Sequence, residues 1–89
     1  MKREFKRLRS VNKSYDEQGA IFFACRNFAR QPKKTQDKIR RLCAAAGPEY
    51  AQALLACLTT DISWERTSME NGLSQDTLTR LRRRVYDAW

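Results

Sequence analysis

The chain has no histidine, only three glycines and two prolines, and no long apolar run. Without histidine it lacks the side chain that most often acts as a general base near neutral pH, and we find no other catalytic set of residues. No apolar stretch reaches the roughly 18–20 residues of a membrane span, and the basic start lacks the apolar centre of a signal peptide. We therefore expect a cytoplasmic protein that is not an enzyme, contacts no membrane and needs no cofactor.

The three cysteines give an odd count, and none belongs to a Cys-x-x-Cys motif. With no histidine to complete a ligand set, the sequence predicts no metal site. Cys25, Cys43 and Cys57 each lie among apolar residues. This pattern indicates small buried hydrophobic side chains in a reducing compartment.

Positive charge dominates the composition, with 18 Lys and Arg against 10 Asp and Glu, a net charge of +8. This balance favours a polyanionic partner: DNA, RNA or an anionic membrane surface. Residues 1–46 hold 13 basic and 4 acidic side chains, whereas residues 61–89 hold 5 of each. The first half of the chain is therefore expected to supply much of the general attraction to phosphate.

The first 13 residues are polar and strongly basic, and they predict a flexible arm or a frayed helix. An arm of this kind contacts phosphates or follows the minor groove. Its candidate contact residues are Lys2, Arg3, Lys6, Arg7 and Arg9. Residues 14–89 are expected to form one helical domain.

Capping residues, prolines and glycines predict helices at about 14–30, 33–46, 48–59, 64–71 and 75–87. Ser14 and Glu17 have the spacing of a capping box, and Ser63 and Ser74 are the expected N-caps of the last two helices. We expect Gly47 to end the second helix in the left-handed conformation, and Pro48 to open the third. The expected fold is all-α, a compact bundle of about five helices.

Apolar residues at helical spacing identify the candidate core. The third helix is the most apolar and is expected at the centre. The inward positions of the first three helices are Ile21, Cys25, Phe28, Ile39, Leu42, Cys43, Ala46, Ala51, Leu54, Leu55 and Leu58.

Residues 63–89 have the pattern of two helices joined by a tight turn, a helix-turn-helix. Ser68 is small where the two helices would cross, Gly72 adopts positive φ cheaply, and Leu73 fills the gap between the helices. The second helix has an apolar stripe made of Leu78, Leu81, Val85 and Ala88. Its opposite, polar face holds Gln75, Asp76, Thr79, Arg80 and Arg83.

The arginines of this helix have two interpretations, a solvated face or a DNA-reading face. In the second, Arg80 and Arg83 reach guanine or phosphate, and Arg84 contacts phosphate. Arg82 is an edge residue that packs its stem. Ser74 and the first amides of the helix are candidates to hold a phosphate.

Three aromatic residues also have alternative roles. Trp64 either anchors the core or lies against the DNA backbone. Tyr86 and Trp89 either pack on the first helices or form a dimer patch.

The run from Trp64 to Ser74 (WERTSMENGLS), followed by Thr77, Leu78 and Arg80, resembles the helix-turn-helix of sigma-factor region four. It is also similar to the small phage and mobile-element regulators built on that domain. The chain departs from the family pattern at Thr67 and Asn71, where apolar residues are usual. The resemblance covers about 27 of the 89 residues.

The resemblance implies a bacterial or phage protein that binds promoter-like double-stranded DNA through its second helix. Some of these proteins also contact RNA polymerase, and a homodimer on paired half-sites is common among them. Its DNA-facing residues would be Ser74, Gln75, Asp76, Thr79, Arg80 and Arg83. The alternative is a protein-interaction module that binds an acidic surface, such as RNA polymerase or another phage protein. RNA binding ranks lower, because the aromatic sheet of common RNA modules is absent.

Overall fold

The computed structural model describes Leu8, residues 11–60 and residues 62–89. This part of the chain forms five α-helices and no strand, which confirms the all-α bundle. The helices are α1 (Tyr15–Arg26), α2 (Lys33–Ala46), α3 (Ala51–Thr59), α4 (Trp64–Asn71) and α5 (Gln75–Ala88). Two short 3-10 turns, Phe28–Arg30 and Pro48–Tyr50, follow α1 and precede α3.

The start of α1 has the predicted capping box. The Ser14 hydroxyl accepts a hydrogen bond from the Glu17 amide at 3.1 Å, and the Glu17 carboxylate accepts one from the Ser14 amide at 3.1 Å. The hydrogen bond from the Ser14 backbone is the main reason why the pKa of Glu17 is lowered. The first and third predicted helices each include one 3-10 turn, so their α-helical parts are shorter than expected.

Gly47 ends α2, but the predicted left-handed conformation is wrong. Its φ of −165° and ψ of 91° are extended, a conformation open to any residue. A Cβ at this position would lie 2.9 Å from Cδ2 of Leu81 in α5. Glycine therefore suits this position because α5 approaches closely, and not because the backbone conformation requires it.

The core is built around α3, which packs against α1, α2, α4 and α5. Leu54 of α3, Ile39 of α2 and Leu78 of α5 are each 0% exposed. Phe28, Leu42, Ala51 and Leu55 lie half-buried at its margin, whereas the other predicted core residues of the first three helices are buried. In the described part of the chain, no helix is both long enough and apolar enough to cross a membrane.

The last turn of α5 differs from the predicted stripe. Ala88 is exposed, and Tyr86 is buried in its place. The buried side of α5 is therefore turned toward Tyr86 at this end. Tyr86 packs into the core, and Trp89 lies against it.

A buried glutamine in α1 attaches the segment before this helix to the body. Gln18 is 0% exposed; its side-chain oxygen accepts from the Leu8 amide at 2.7 Å, and its amide group donates to the carbonyls of Leu8 and Lys13. The amide of Asn12 donates to the Asp87 carboxylate at 2.8 Å. Leu8 and residues 11–13, which the sequence assigns to the arm, therefore belong to the packed body.

Candidate nucleic-acid interface

A left-handed glycine joins α4 to α5. The Ser63 hydroxyl caps the start of α4 by accepting from the Arg66 amide at 3.0 Å. Gly72 ends that helix with φ 64° and ψ 32°, as predicted, and the Leu73 amide returns to the Ser68 carbonyl at 3.1 Å. Ser74 then caps α5, so only two residues separate the glycine from the next helix. The corner fixes where α5 begins relative to α4.

Polar groups inside this corner have partners. The Ser68 hydroxyl donates to the Leu73 carbonyl, and both residues are 9% exposed. The buried Thr67 hydroxyl donates to the Ser63 carbonyl and accepts from the Cys57 thiol at 2.9 Å. A threonine therefore fits at a position where the family pattern has an apolar residue, since its hydroxyl is satisfied.

Asn71, the second departure from the family pattern, lies on the surface at the end of α4. Its side-chain amide donates to the Thr67 carbonyl at 2.9 Å. The side chain therefore completes the last turn of the helix.

Arg82 and Trp64 form a second connection between α5 and α4. The guanidinium carbon of Arg82 lies 4.4 Å from the centre of the Trp64 ring, and both residues are half-buried. A cation–π contact of this kind contributes about 0.5–1 kcal/mol at an exposed site and more when water is excluded. Trp64 packs against the core, which agrees with the first of its two interpretations. Arg82 packs beside it at the edge of the buried stripe, as predicted.

The polar face of α5 lies opposite its buried face. Gln75, Asp76 and Arg80 are exposed, whereas Thr79 and Arg83 are half-buried. The Nε of Arg83 is enclosed and has no hydrogen-bond partner among the described residues. The stem of Arg83 is therefore held against the body, which restricts the direction of its charged end.

Ser74 and Arg84 have partners within the protein. The Ser74 hydroxyl accepts from the Thr77 amide at 3.1 Å and pairs with the Thr77 hydroxyl. Arg84 is exposed, but its Nη1 donates to the carbonyl of Ala46 at 3.0 Å, at the end of α2. One of its five N–H donors thus joins α5 to α2. The predicted arm contacts Lys2, Arg3, Lys6, Arg7 and Arg9 lie outside the described residues, as does Asp61.

The basic face of α2 is a feature that the sequence analysis did not single out. Four of its basic residues are exposed: Lys33, Lys34, Arg40 and Arg41. The signal was present in their spacing of seven residues, from 33 to 40 and from 34 to 41, which places each pair on one side of a helix. The first half of the chain was expected to attract phosphate, but only residues of the arm were named as contacts, so this face was missed.

The cysteines carry no accessible nucleophile. Burial raises the pKa of Cys25 to about 12 and that of Cys43 to about 11. Cys57 is 0% exposed and donates to Thr67. All three act as small core residues, as the sequence predicts.

Comparison with known proteins adds no relative. No protein-family model, curated protein or solved structure matches this chain.

Proposed function

We propose that this protein is a sequence-specific DNA-binding regulator of bacterial or phage origin, acting in the cytoplasm, and that α5 enters the major groove. One observation carries the proposal: α5 keeps a largely exposed polar face, while its opposite face is buried as far as Tyr86 and its start is fixed by the Gly72 corner. A helix held in this way fits the major groove, which is about 12 Å wide.

The side chains of the exposed face suit base recognition. Arg80 can donate a bidentate pair of hydrogen bonds to O6 and N7 of guanine, and Gln75 can make a bidentate contact with N6 and N7 of adenine. Asp76 accepts from cytosine N4 but repels phosphate, so it favours an orientation in which the first turn of α5 faces bases. Thr79 supplies a methyl group for thymine. Arg83 and Arg84 flank this set and contact the backbone.

A pair of single variants tests the role of Arg80. Selection from genomic fragments first yields a preferred duplex, and fluorescence anisotropy then measures its affinity. Arg80→Ala is expected to weaken binding to that duplex by about 1–3 kcal/mol and to reduce discrimination against a mixed-sequence duplex. Arg66→Ala is the matched control, because it removes one exposed arginine from α4, where Arg66 pairs with Glu70 at 2.8 Å. We expect a much smaller change in affinity for this control.

The outcomes separate three roles. An equal loss on preferred and mixed duplexes would make Arg80 a phosphate anchor rather than a base reader. An equal effect of Arg66→Ala would remove the special role of α5. Absence of binding to any duplex at low salt would reject DNA binding and favour the alternative function, docking on an acidic protein surface.

A further inference from the structure

We propose, resting on the function above, that α2 and α5 together form a lateral phosphate-binding strip that holds the DNA backbone beside the recognition helix. The strip consists of Arg84 on α5 with Arg41 and Lys34 on α2, and it adjoins Arg80, the base-reading residue. All four residues are exposed. The strip would bind duplex DNA through its phosphates, adding affinity without reading sequence.

Three contacts place the two helices side by side and antiparallel. At the end of α2, Gly47 lies against Leu81, and the Ala46 carbonyl accepts from Arg84. Near the middle of α2, the ammonium of Lys38 lies 4.5 Å from the centre of the Trp89 ring, just beyond the end of α5. The start of the segment 81–89 therefore lies beside the end of α2, and its end lies beside the middle of α2, so the two helices are antiparallel.

The same contacts show which side of each helix faces the other. Lys38 faces the end of α5, and residues three and four positions from it, Arg41 and Lys34, share its side of α2. On α5, Arg84 faces α2, and Arg80 lies one turn earlier on the same side. The four charges therefore border one helix–helix seam.

Three exposed carboxylates lie near the strip: Asp37 on α2, and Asp76 and Asp87 on α5. Asp37 of α2 lies three residues after Lys34 and four before Arg41, and it pairs with Arg40 at 3.4 Å. Asp87 of α5 accepts the Asn12 amide at 2.8 Å. Arg40 offsets the charge of Asp37, and Arg80 with the three strip residues outnumbers Asp76 and Asp87, so this surface keeps a net positive charge.

The length of the strip suits a stretch of DNA backbone. The surface follows α5 from Arg80 to its end and then continues along α2 from Lys38 to Lys34. At a rise of 1.5 Å per residue, this path is roughly 20 Å long. The strip begins next to Arg80 on the recognition helix, so a DNA strand leaving the groove there would pass along α2. Each neutralised phosphate makes the slope of the logarithm of the binding constant against the logarithm of salt concentration steeper by about 0.9.

A double variant tests the strip without touching α5. Lys34→Ala with Arg41→Ala removes two strip charges. Its matched control, Arg30→Ala with Lys33→Ala, also removes two exposed charges, from the start of α2 and the turn before it. Lys33 lies on the side of α2 that also holds Arg40 and Gln36, which contact Phe28, and Arg30 ends the turn before the helix. Circular dichroism melts establish that both variants fold.

The readout is the affinity for a mixed-sequence duplex, measured by anisotropy at several salt concentrations between about 50 and 200 mM. We expect the strip variant to lose tenfold or more in affinity and to reduce the salt slope by about 2, equally on mixed and preferred duplexes. The control variant is expected to change the slope by well under half of that amount.

The result also separates this inference from the proposed function. If the wild-type protein binds DNA and both double variants lose affinity to the same extent, the attraction is diffuse and the strip is rejected. An unchanged affinity of the strip variant, with Arg80→Ala still defective, rejects the strip alone. A wild-type protein that binds no duplex rejects the proposed function itself.

Discussion

Replacing Gly72 by alanine tests the corner that positions α5. The residue has φ 64°, and a Cβ built there meets nothing within 4 Å, so the cost of alanine comes from the backbone alone. An L-residue in the left-handed region costs about 1–2 kcal/mol, and the smaller entropy of the unfolded chain returns about 0.4–1 kcal/mol. We therefore expect Gly72→Ala to lower the free energy of unfolding by about 1 kcal/mol, or Tm by about 4–8 °C.

Two companion variants give this prediction its specificity. Gly72→Asn is expected to cost less than alanine, because asparagine enters the left-handed region more readily. Gly47→Ala is the steric counterpart, since its Cβ would lie 2.9 Å from Leu81. Introducing Leu81→Ala is expected to reduce the cost of Gly47→Ala and to leave the cost of Gly72→Ala unchanged.

Urea unfolding followed by circular dichroism measures all of these variants. A Gly72→Ala protein as stable as the wild type would refute the left-handed corner. A Gly72→Asn protein less stable than Gly72→Ala would refute it as well.

Three further predictions concern the core, the α4–α5 contact and the thiols. Leu54→Ala is expected to cost about 2–5 kcal/mol, because the side chain is 0% exposed, and a loss below about 1 kcal/mol in urea unfolding would contradict this. Arg82→Ala is expected to lower the free energy of unfolding by about 0.5–1 kcal/mol. In a Trp89→Phe background, it is also expected to shift the fluorescence of Trp64 to longer wavelength, and an unchanged spectrum would argue against the contact. Cys25 and Cys43 have raised pKa values of about 12 and 11, so at pH 8 they are expected to react with a disulfide reagent only on unfolding, and rapid labelling of the native protein would show that they are accessible.

Local sequence signals predicted the helices and the α4–α5 corner well. Ser14, Ser63 and Ser74 all cap helices as expected, and Gly72 has its predicted positive φ. These features depend on residues within four or five positions of each other, so the sequence contains the information needed to find them. The polar face of α5 followed from the same local periodicity.

Contacts between distant parts of the chain were not predictable in this way. Arg84 donates to a carbonyl 38 residues earlier, and Gln18 fixes Leu8 through two hydrogen bonds. Gly47 was correctly predicted to end α2, but its predicted left-handed conformation was wrong. Glycine suits this position because Leu81 approaches closely, and that approach depends on how α5 packs against α2. Periodicity gives the buried side of each helix but not the neighbour that covers it. The spacing of the basic residues in α2 is visible in the sequence, but their position beside α5 is not.

The most direct test of the central claim is an NMR titration of the 15N-labelled protein with the selected DNA duplex. We expect the largest shifts at the amides of residues 74–84 and at the Arg80 side chain, with smaller shifts at Lys34 and Arg41. The surface of α4 around Met69, which is 76% exposed, is expected to change little. Shifts confined to α1 or to that α4 surface, or no shifts at low salt, would contradict the proposal that α5 reads DNA.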